Sequence, residues 1–186
     1  MAGHRVCPWW LGYLLACPLR RLAQDPARIL TPYVRDGMTV LEPGPGMGFF
    51  TLELARMVGV AGHVVAVDIQ PKMISRLKRR LAKAGLLDRV DARLAGADSM
   101  GLADLTGTID FVLALAMVHE LTAPDRFFAE AAQTLKPGGS LLLAEPILHV
   151  RAPKFEEQLA LAAQAGLSLI ERPSIRRSHA ALLKKD

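Results

Sequence analysis

Apolar and polar residues follow two different periods along this chain. Short, nearly continuous apolar runs bounded by glycine, proline or charged residues predict β-strands. Strands that are apolar along their whole length belong in a sheet that is covered on both faces. Six such runs occur, at Thr39–Pro43, His63–Asp68, Val90–Leu94, Ile109–Ala116, Ser140–Glu145 and Leu167–Glu171.

Helical spacing of apolar residues separates these strands. Proline opens three of the helical segments, where its missing N–H costs least, and Gly85 and Gly166 follow two of them at left-handed cap positions. A last run, Arg176–Lys184, follows the sixth strand after a short connection, which predicts an antiparallel partner strand. The predicted helices are Phe49–Val58, Pro71–Ala84, Pro124–Leu135 and Pro153–Ala165.

The first thirty-one residues interrupt this pattern. The apolar run Val6–Cys17 is similar to a short secretory segment, and Leu14–Cys17 is similar to a lipoprotein cleavage box. Pro8 and Gly12 break the run, which is too short to span a bilayer. Helical spacing from Leu11 onward favours a helical lid over residues 1–31. A signal or lipid anchor and a membrane-surface helix remain the alternatives.

Composition narrows the class of protein. The chain has 186 residues, of which 51% are hydrophobic, enough to bury one core, so we expect one main domain over residues 32–186. The formal net charge of +5 permits an anionic partner. No aromatic residues are interleaved with the basic clusters, so solvated surfaces are favoured over a nucleic-acid interface. Cys7 and Cys17 are too few for a disulfide framework, which favours a reducing compartment.

The turn after the first strand carries the strongest chemical signal. Glu42 ends an apolar strand, and Gly44, Gly46 and Gly48 follow at alternate positions before a helix. A ligand can approach such a backbone closely, although a tight turn without a ligand gives the same pattern. The spacing is not that of a dinucleotide fingerprint, because Phe49 stands where the third glycine is required. The acid suits a cationic ligand group better than a pyrophosphate.

These motifs resemble the class I S-adenosylmethionine-dependent methyltransferases, in the branch similar to ubiquinone-biosynthesis enzymes. The resemblance covers residues 32–186 and implies a Rossmann-like, doubly wound α/β fold in three layers. It also implies a seven-stranded, mostly parallel sheet whose last strand is antiparallel. Four segments carry it in the family's order: Val40–Gly48, Val65–Ile69, Ala95–Ser99 and Leu135–Leu143.

The resemblance implies S-adenosylmethionine as cofactor, with no metal, and assigns its contacts. The glycine turn and Glu42 would hold the methionine part, Asp68 the ribose hydroxyls, and Asp98 the adenine amino group. Asp68 could instead cap the following helix, and Asp98 could be an ordinary turn residue. The expected cofactor residues are Glu42, Gly44, Pro45, Gly46, Gly48, Asp68, Ile69, Ala97, Asp98, Ser99, Ala114 and Leu115.

The segment after the fourth strand is where the family places acceptor-facing groups. His119 is the candidate general base, and its alternative is a histidine hydrogen-bonded to a loop carbonyl. Glu120 could orient His119 or face water. Glu145 and His149 are weaker candidates at the pocket rim. An aromatic wall over the acceptor is expected from Trp9, Trp10 and Tyr13, which could also serve as an anchor or a subunit contact.

We therefore expect a cytoplasmic methyltransferase that acts on a small, largely apolar acceptor by direct in-line transfer. The protein would be a monomer or homodimer without a transmembrane segment. A cofactor-binding partner subunit without activity is one alternative, and an RNA methyltransferase is another. Cys7 and Cys17 are interpreted as core residues, with a two-thiol soft-metal site as the alternative.

Overall fold

A computed structural model describes residues 24–96 and 99–186 of the chain, which form two compact units along the same boundary. Several residues singled out above lie outside the described ranges, so the expectations that rest on them stay predictions. These residues are Cys7, Trp9, Trp10, Tyr13, Cys17, Ala97 and Asp98.

The first unit, residues 24–96, alternates helix and strand. β1 pairs with β2 and β2 with β3, all in parallel. The register aligns Asp68, the last residue of β2, with Leu94, the last residue of β3. Its elements are α1 (Pro26–Leu30), β1 (Thr39–Pro43), α2 (Thr51–Met57), β2 (His63–Asp68), α3 (Pro71–Ala84) and β3 (Val90–Leu94).

Helix α3 shows why these residues fold as they do. Pro71 stands in the first turn, and Gly85 ends the helix in the left-handed conformation at a φ of 67°. Four apolar side chains at helical spacing are buried, while lysines and arginines occupy the other faces. The buried residues are Met73, Ile74, Leu77 and Leu81.

The second unit, residues 99–186, contains the other strands. β4 and β5 are parallel, whereas β7 runs antiparallel to β5 and to β6. A short 3₁₀ turn at Val118–Glu120 follows β4. The elements are β4 (Ile109–Leu115), α4 (Pro124–Thr134), β5 (Leu135–Pro146), α5 (Ala152–Gln164), β6 (Leu167–Glu171) and β7 (Ser178–Lys185).

The seven strands follow the order β3-β2-β1-β4-β5-β7-β6, which confirms the predicted α/β fold class with its antiparallel last strand. Three strands differ from their predicted bounds: β4 ends at Leu115 rather than at Ala116, β7 spans Ser178–Lys185 rather than Arg176–Lys184, and β5 spans Leu135–Pro146 rather than Ser140–Glu145. Leu135 pairs with Ile109, and its carbonyl accepts a hydrogen bond of 2.8 Å from Lys185 Nζ. Within the described ranges, no helix has the length and apolarity that a membrane crossing requires.

Candidate functional site

The glycine turn leaves the carboxyl end of β1 in a conformation that favours glycine. Gly44, Gly46 and Gly48 have φ angles of 68°, 55° and 82°. The Gly44 N–H donates to Val67 O at 2.8 Å, which ties the start of the turn to β2. The Gly48 N–H donates to Pro45 O at 2.9 Å, which closes the turn on itself. The backbone is therefore fixed close to the end of the strand.

Gly46 and Gly48 serve different purposes. A Cβ added at Gly46 meets no described atom within 4 Å, so this position faces open space. A Cβ at Gly48 would lie 2.4 Å from Leu77 Cδ1 and 3.0 Å from Leu52 Cδ1. Gly48 thus allows the turn to pack against α3, while Gly46 is the glycine that leaves room for a ligand.

Glu42 is the electrostatic centre of this turn. Its side chain is buried, with 4% of the residue exposed, and burial raises its pKa to about 7. The neighbouring Thr51 hydroxyl opposes this rise in pKa, and the charge of Asp68 adds to it. The Thr51 hydroxyl is near the carboxyl group but not in full hydrogen-bonding geometry, since neither Glu42 Oε2 nor Thr51 Oγ1 meets the distance and angle of a hydrogen bond with any described residue. A buried carboxylate oxygen without a partner is costly unless a ligand supplies one.

Asp68 and Ile69 stand at the carboxyl end of β2. Asp68 is buried, and its Oδ1 accepts a hydrogen bond of 2.8 Å from the N–H of Gln70, the residue that precedes α3. This bond lies in the turn before α3, whose N-cap residue is Gln70, so it differs from the helix cap that was the alternative for Asp68. Ile69 is 49% exposed at the same edge.

A second cluster lies in the other unit, after the carboxyl ends of β4 and β5. Ala114 is buried and Leu115 is partly exposed at the end of β4. Ala116 then adopts a φ of 57°, a conformation that costs free energy for a residue with a Cβ. This reversal turns the chain into the Val118–Glu120 segment and directs His119 toward β5.

Glu145 organises this cluster. It is fully buried, and its Oε1 accepts a hydrogen bond of 2.8 Å from the Val118 N–H. Its Oε2 bonds to His119 Nδ1. The other ring nitrogen of His119, Nε2, lies 3.4 Å from Nδ1 of His149. A chain of three side chains therefore runs from a buried carboxylate to an exposed imidazole.

The carboxylate of Glu145 favours the protonated form of His119. The hydrogen bond to Glu145 raises the pKa of His119, partial burial opposes the rise, and the charges of Glu145 and Glu120 add to it. The expected alternative, a bond from His119 to a loop carbonyl, is therefore wrong: the partner is a carboxylate. Glu145, rather than Glu120, orients the ring.

The remaining predicted residues take local roles or lie outside the described ranges. Ser99 Oγ accepts a hydrogen bond of 3.0 Å from the Gly101 N–H, as in an ordinary turn. No group of three or more histidine, cysteine or acidic residues could hold a metal ion in residues 24–96 and 99–186. The pairing of His119 with Glu145 was not predicted from the sequence, although His119 follows β4 and Glu145 lies next to the last residue of β5.

Comparison with known proteins decides the family. The sequence model of a family described as a methyltransferase domain matches residues 41–143, which span β1 to β5. The chain belongs to this methyltransferase domain family. The expected membership in the class I S-adenosylmethionine-dependent methyltransferases is confirmed, and with it the identity of the cofactor.

Several known proteins are similar to this methyltransferase. It is 32% identical over 112 residues to the ubiquinone/menaquinone biosynthesis C-methyltransferases UbiE of Hydrogenovibrio crunogenus and Escherichia coli O1:K1. The match covers 60% of this chain and 43% and 44% of theirs, so the chain spans less than half the length of these curated relatives. A solved S-adenosylmethionine-dependent methyltransferase from Aquifex aeolicus gives a TM-score of 0.86 at 25% identity, covering 97% of this chain and 100% of that one.

The residues of the first unit fit the cofactor of this family. The orphaned Oε2 of buried Glu42 is a partner for a cationic group, and the cofactor carries an amino group and a sulfonium. The open space over Gly46 allows a ligand to reach the backbone of the turn. Asp68 ends β2 with a buried carboxylate, a group that accepts hydrogen bonds such as those of ribose hydroxyls.

Proposed function

We propose that this chain is a cytoplasmic enzyme that transfers the methyl group of S-adenosylmethionine to a small-molecule acceptor. The observation that carries the proposal is the buried, unpartnered carboxylate oxygen of Glu42 beside the open face of Gly46. Membership in the methyltransferase domain family supports it. The chain would work as a monomer or a homodimer.

The proposal assigns each part of the cofactor to residues of this chain. Glu42 accepts hydrogen bonds from the amino group and offsets the positive charge, while the backbone of Gly44, Pro45 and Gly46 lies against the methionine part. Asp68 accepts from the ribose hydroxyls, and half-exposed Ile69 covers an apolar face of the ligand. By family resemblance, the remaining contacts come from Gly48, Ala97, Asp98, Ser99, Ala114 and Leu115.

Methyl transfer asks for position more than for bond chemistry. The sulfonium is already an activated methyl donor, so the acceleration comes from holding the acceptor atom in line and keeping water out. A base is needed only when the acceptor carries a proton that it must lose. The bond between Glu145 and His119 supports such a step, because the carboxylate stabilises the protonated imidazole.

The acceptor that we propose is a reduced, quinone-type ring with an apolar substituent, methylated at carbon. The names of the curated relatives support this class. Ile147 and Leu148, which adjoin His149, are 45% and 85% exposed and could contact an apolar substituent. We also propose, from the sequence alone, that Trp9, Trp10 and Tyr13 form an aromatic wall over the acceptor as part of an N-terminal lid.

Transfer of a labelled methyl group tests the proposal directly. Purified protein, labelled S-adenosylmethionine and a prenylated 1,4-naphthalenediol under reducing conditions should give labelled product that extracts into organic solvent. A parallel reaction uses a metabolite extract with and without nuclease treatment. Label that enters only nuclease-sensitive material would contradict the small-molecule acceptor. Absence of label in every arm, from protein that binds the cofactor, would favour a partner subunit without activity.

A further inference from the structure

Both ring nitrogens of His119 are already engaged within the protein. Nδ1 bonds to Glu145 Oε2, and Nε2 faces His149 Nδ1 at 3.4 Å. The two rings are 5.2 Å apart between centroids and inclined by 62°, an edge-on arrangement in which one ring directs a nitrogen at the other. A substrate proton could reach His119 directly only if His149 moved away. The residue proposed as general base from the sequence is therefore an interior member of the chain.

His149 offers the free nitrogen instead. It is exposed, and its Nδ1 is occupied by the contact with His119, whereas no described residue bonds to its Nε2. Its position is fixed by the turn that follows β5, in which the His149 N–H donates to Pro146 O at 2.9 Å. The two preceding side chains, Ile147 and Leu148, are exposed and apolar. A proton acceptor therefore adjoins an apolar surface.

We propose that His149 Nε2 takes the proton from the methyl acceptor, and that His119 and Glu145 act behind it as positioning residues. This inference rests on the proposed function and adds how its hydroquinone acceptor is activated: the ring becomes nucleophilic when an O–H proton leaves. An acceptor that has no proton to lose would not be activated by His149, His119 and Glu145.

The proton balance rests on one assignment of tautomers. We assign His119 Nδ1–H as the donor to Glu145 Oε2, which leaves His119 Nε2 to accept from the Nδ1–H of His149. The acceptor's O–H bond breaks and its proton joins His149 Nε2. The proton on His149 Nδ1 moves to His119 Nε2. The products of this step are a phenolate and an imidazolium at His119, which is paired with the buried carboxylate of Glu145. When the ring carbon then takes the methyl group, that carbon loses its own C–H proton to solvent and the phenol oxygen recovers a proton from the histidines, so the ring becomes aromatic again and His119 and His149 return to their neutral forms.

The surroundings favour the imidazolium at His119. The hydrogen bond and the charge of Glu145 raise the pKa of His119, partial burial opposes this, and the charge of Glu120 adds to it. One further titratable residue adjoins the carboxylate, because His179 of β7 is the cross-strand neighbour of Glu145 in the sheet. The backbone N–H of Val118 holds the second carboxylate oxygen, so Glu145 cannot rotate away from His119 without losing a buried hydrogen bond.

Nuclear magnetic resonance of ¹⁵N-labelled histidines tests the geometry without cofactor or acceptor. In the wild-type protein, the chemical shifts of His119 should carry the influence of the neighbouring His149 ring, with a downfield proton on His119 Nδ1. In His149→Gln, the titration curve of His119 should change, while that downfield proton persists. His63→Gln, which changes a histidine at the start of β2, is the matched control and should leave the His119 titration unaltered. An unchanged His119 titration in His149→Gln would overturn the proposal.

Turnover of a prenylated 1,4-naphthalenediol supplies the second readout. His149→Gln should lower kcat about 100-fold near neutral pH with little change in KM, and the loss should shrink above the pKa of the acceptor, near 10, where it arrives ionised. A loss that is equal at all pH values would overturn the proposal.

Calorimetry with S-adenosylmethionine distinguishes a failure of the His149 proposal from a failure of the proposed function, because cofactor binding should be the same in His149→Gln and wild type. A wild-type protein that binds no cofactor contradicts the proposed function, whereas the titration of His119 tests the histidines alone.

Discussion

At the scale of single residues, Glu42 links stability to function. Its pKa is raised to about 7 by burial, so the folded protein favours its protonated form. The contribution of Glu42 to the free energy of unfolding is therefore fully present at low pH. It is lost as the pH rises from about 4.5 to 7. A bound cation would reverse this preference and favour the ionised form of Glu42. We interpret Glu42 as a carboxylate kept at a cost in stability for its ligand.

Glu42→Gln should separate the two effects. The variant should be more stable than the wild type by about 3 kcal/mol at pH 8 and nearly equal at pH 4.5, because the neutral amide avoids the cost of a buried charge. Urea unfolding at both pH values measures this. Exposed Glu157→Gln is the control and should show no comparable pH-dependent change. Equal gains at both pH values would contradict the assignment.

Asp68 makes a second prediction at this scale. Asp68→Asn keeps a side-chain oxygen for the N–H of Gln70 but removes the charge. Binding of S-adenosylmethionine should weaken by about 1.5–3 kcal/mol, since a charged partner of the ribose hydroxyls is lost, while the fold is kept. Calorimetric titration gives the affinity and circular dichroism checks the fold. An affinity equal to that of the wild type would show that Asp68 only shapes the turn before α3.

Some residues of the candidate site could be predicted from the sequence and others could not. Glu42 and Asp68 end strands next to turn signals, so their places follow from the pattern alone. The contact between His119 and Glu145 depends on the positive φ of Ala116, and alanine carries no sequence signal for that conformation. The sequence could therefore indicate His119 but not its partner.

At the scale of elements, most strand limits were predicted because their apolar runs end at charged or turn residues. The strands β1, β2, β3 and β6 have the predicted bounds. The early start of β5 was missed since Leu135 also completes the apolar face of α4 in the sequence pattern. Its pairing with Ile109 across the sheet decides the outcome, and that contact is not local.

The packing of the glycine turn against α3 makes a prediction for this scale. Gly48→Ala places a Cβ 2.4 Å from Leu77 Cδ1 at a φ of 82°, so overpacking and backbone strain both oppose it. The free energy of unfolding should fall by about 2–4 kcal/mol. Gly85→Ala, at a left-handed but open position, is the control and should cost about 1 kcal/mol. Equal losses in urea unfolding would contradict this packing.

At the scale of the whole molecule, the sequence predicts the fold more fully than it predicts the methyl acceptor. The alternation of strands and helices predicts a parallel sheet covered on both faces, and the family resemblance implies its seven strands with an antiparallel last one. The likeness to the Aquifex aeolicus structure extends over nearly the whole chain. The acceptor is not encoded in that pattern, because the fold positions the cofactor and the loops that follow the strands select the substrate.

The N-terminal lid, residues 1–31, stays a prediction and is testable by truncation. Removal of residues 1–23 leaves Asp25, whose side chain accepts from the Ala27 N–H at 3.1 Å and caps α1. The domain should therefore stay folded, with an unfolding midpoint close to that of the full chain. Turnover or cofactor affinity should change if the segment covers the acceptor. Activity unchanged alongside unchanged stability would contradict a lid.

Calorimetric titration with S-adenosylmethionine tests the central claim most directly, using the wild type and two glycine variants. Gly46→Val and Gly37→Val both place a side chain at a positive φ, 55° and 80°, with no described atom within 4 Å, so their backbone strain is matched. The wild type and Gly37→Val should bind the cofactor, and Gly46→Val should not. No binding by folded wild type, or equal binding by all three, would contradict the account.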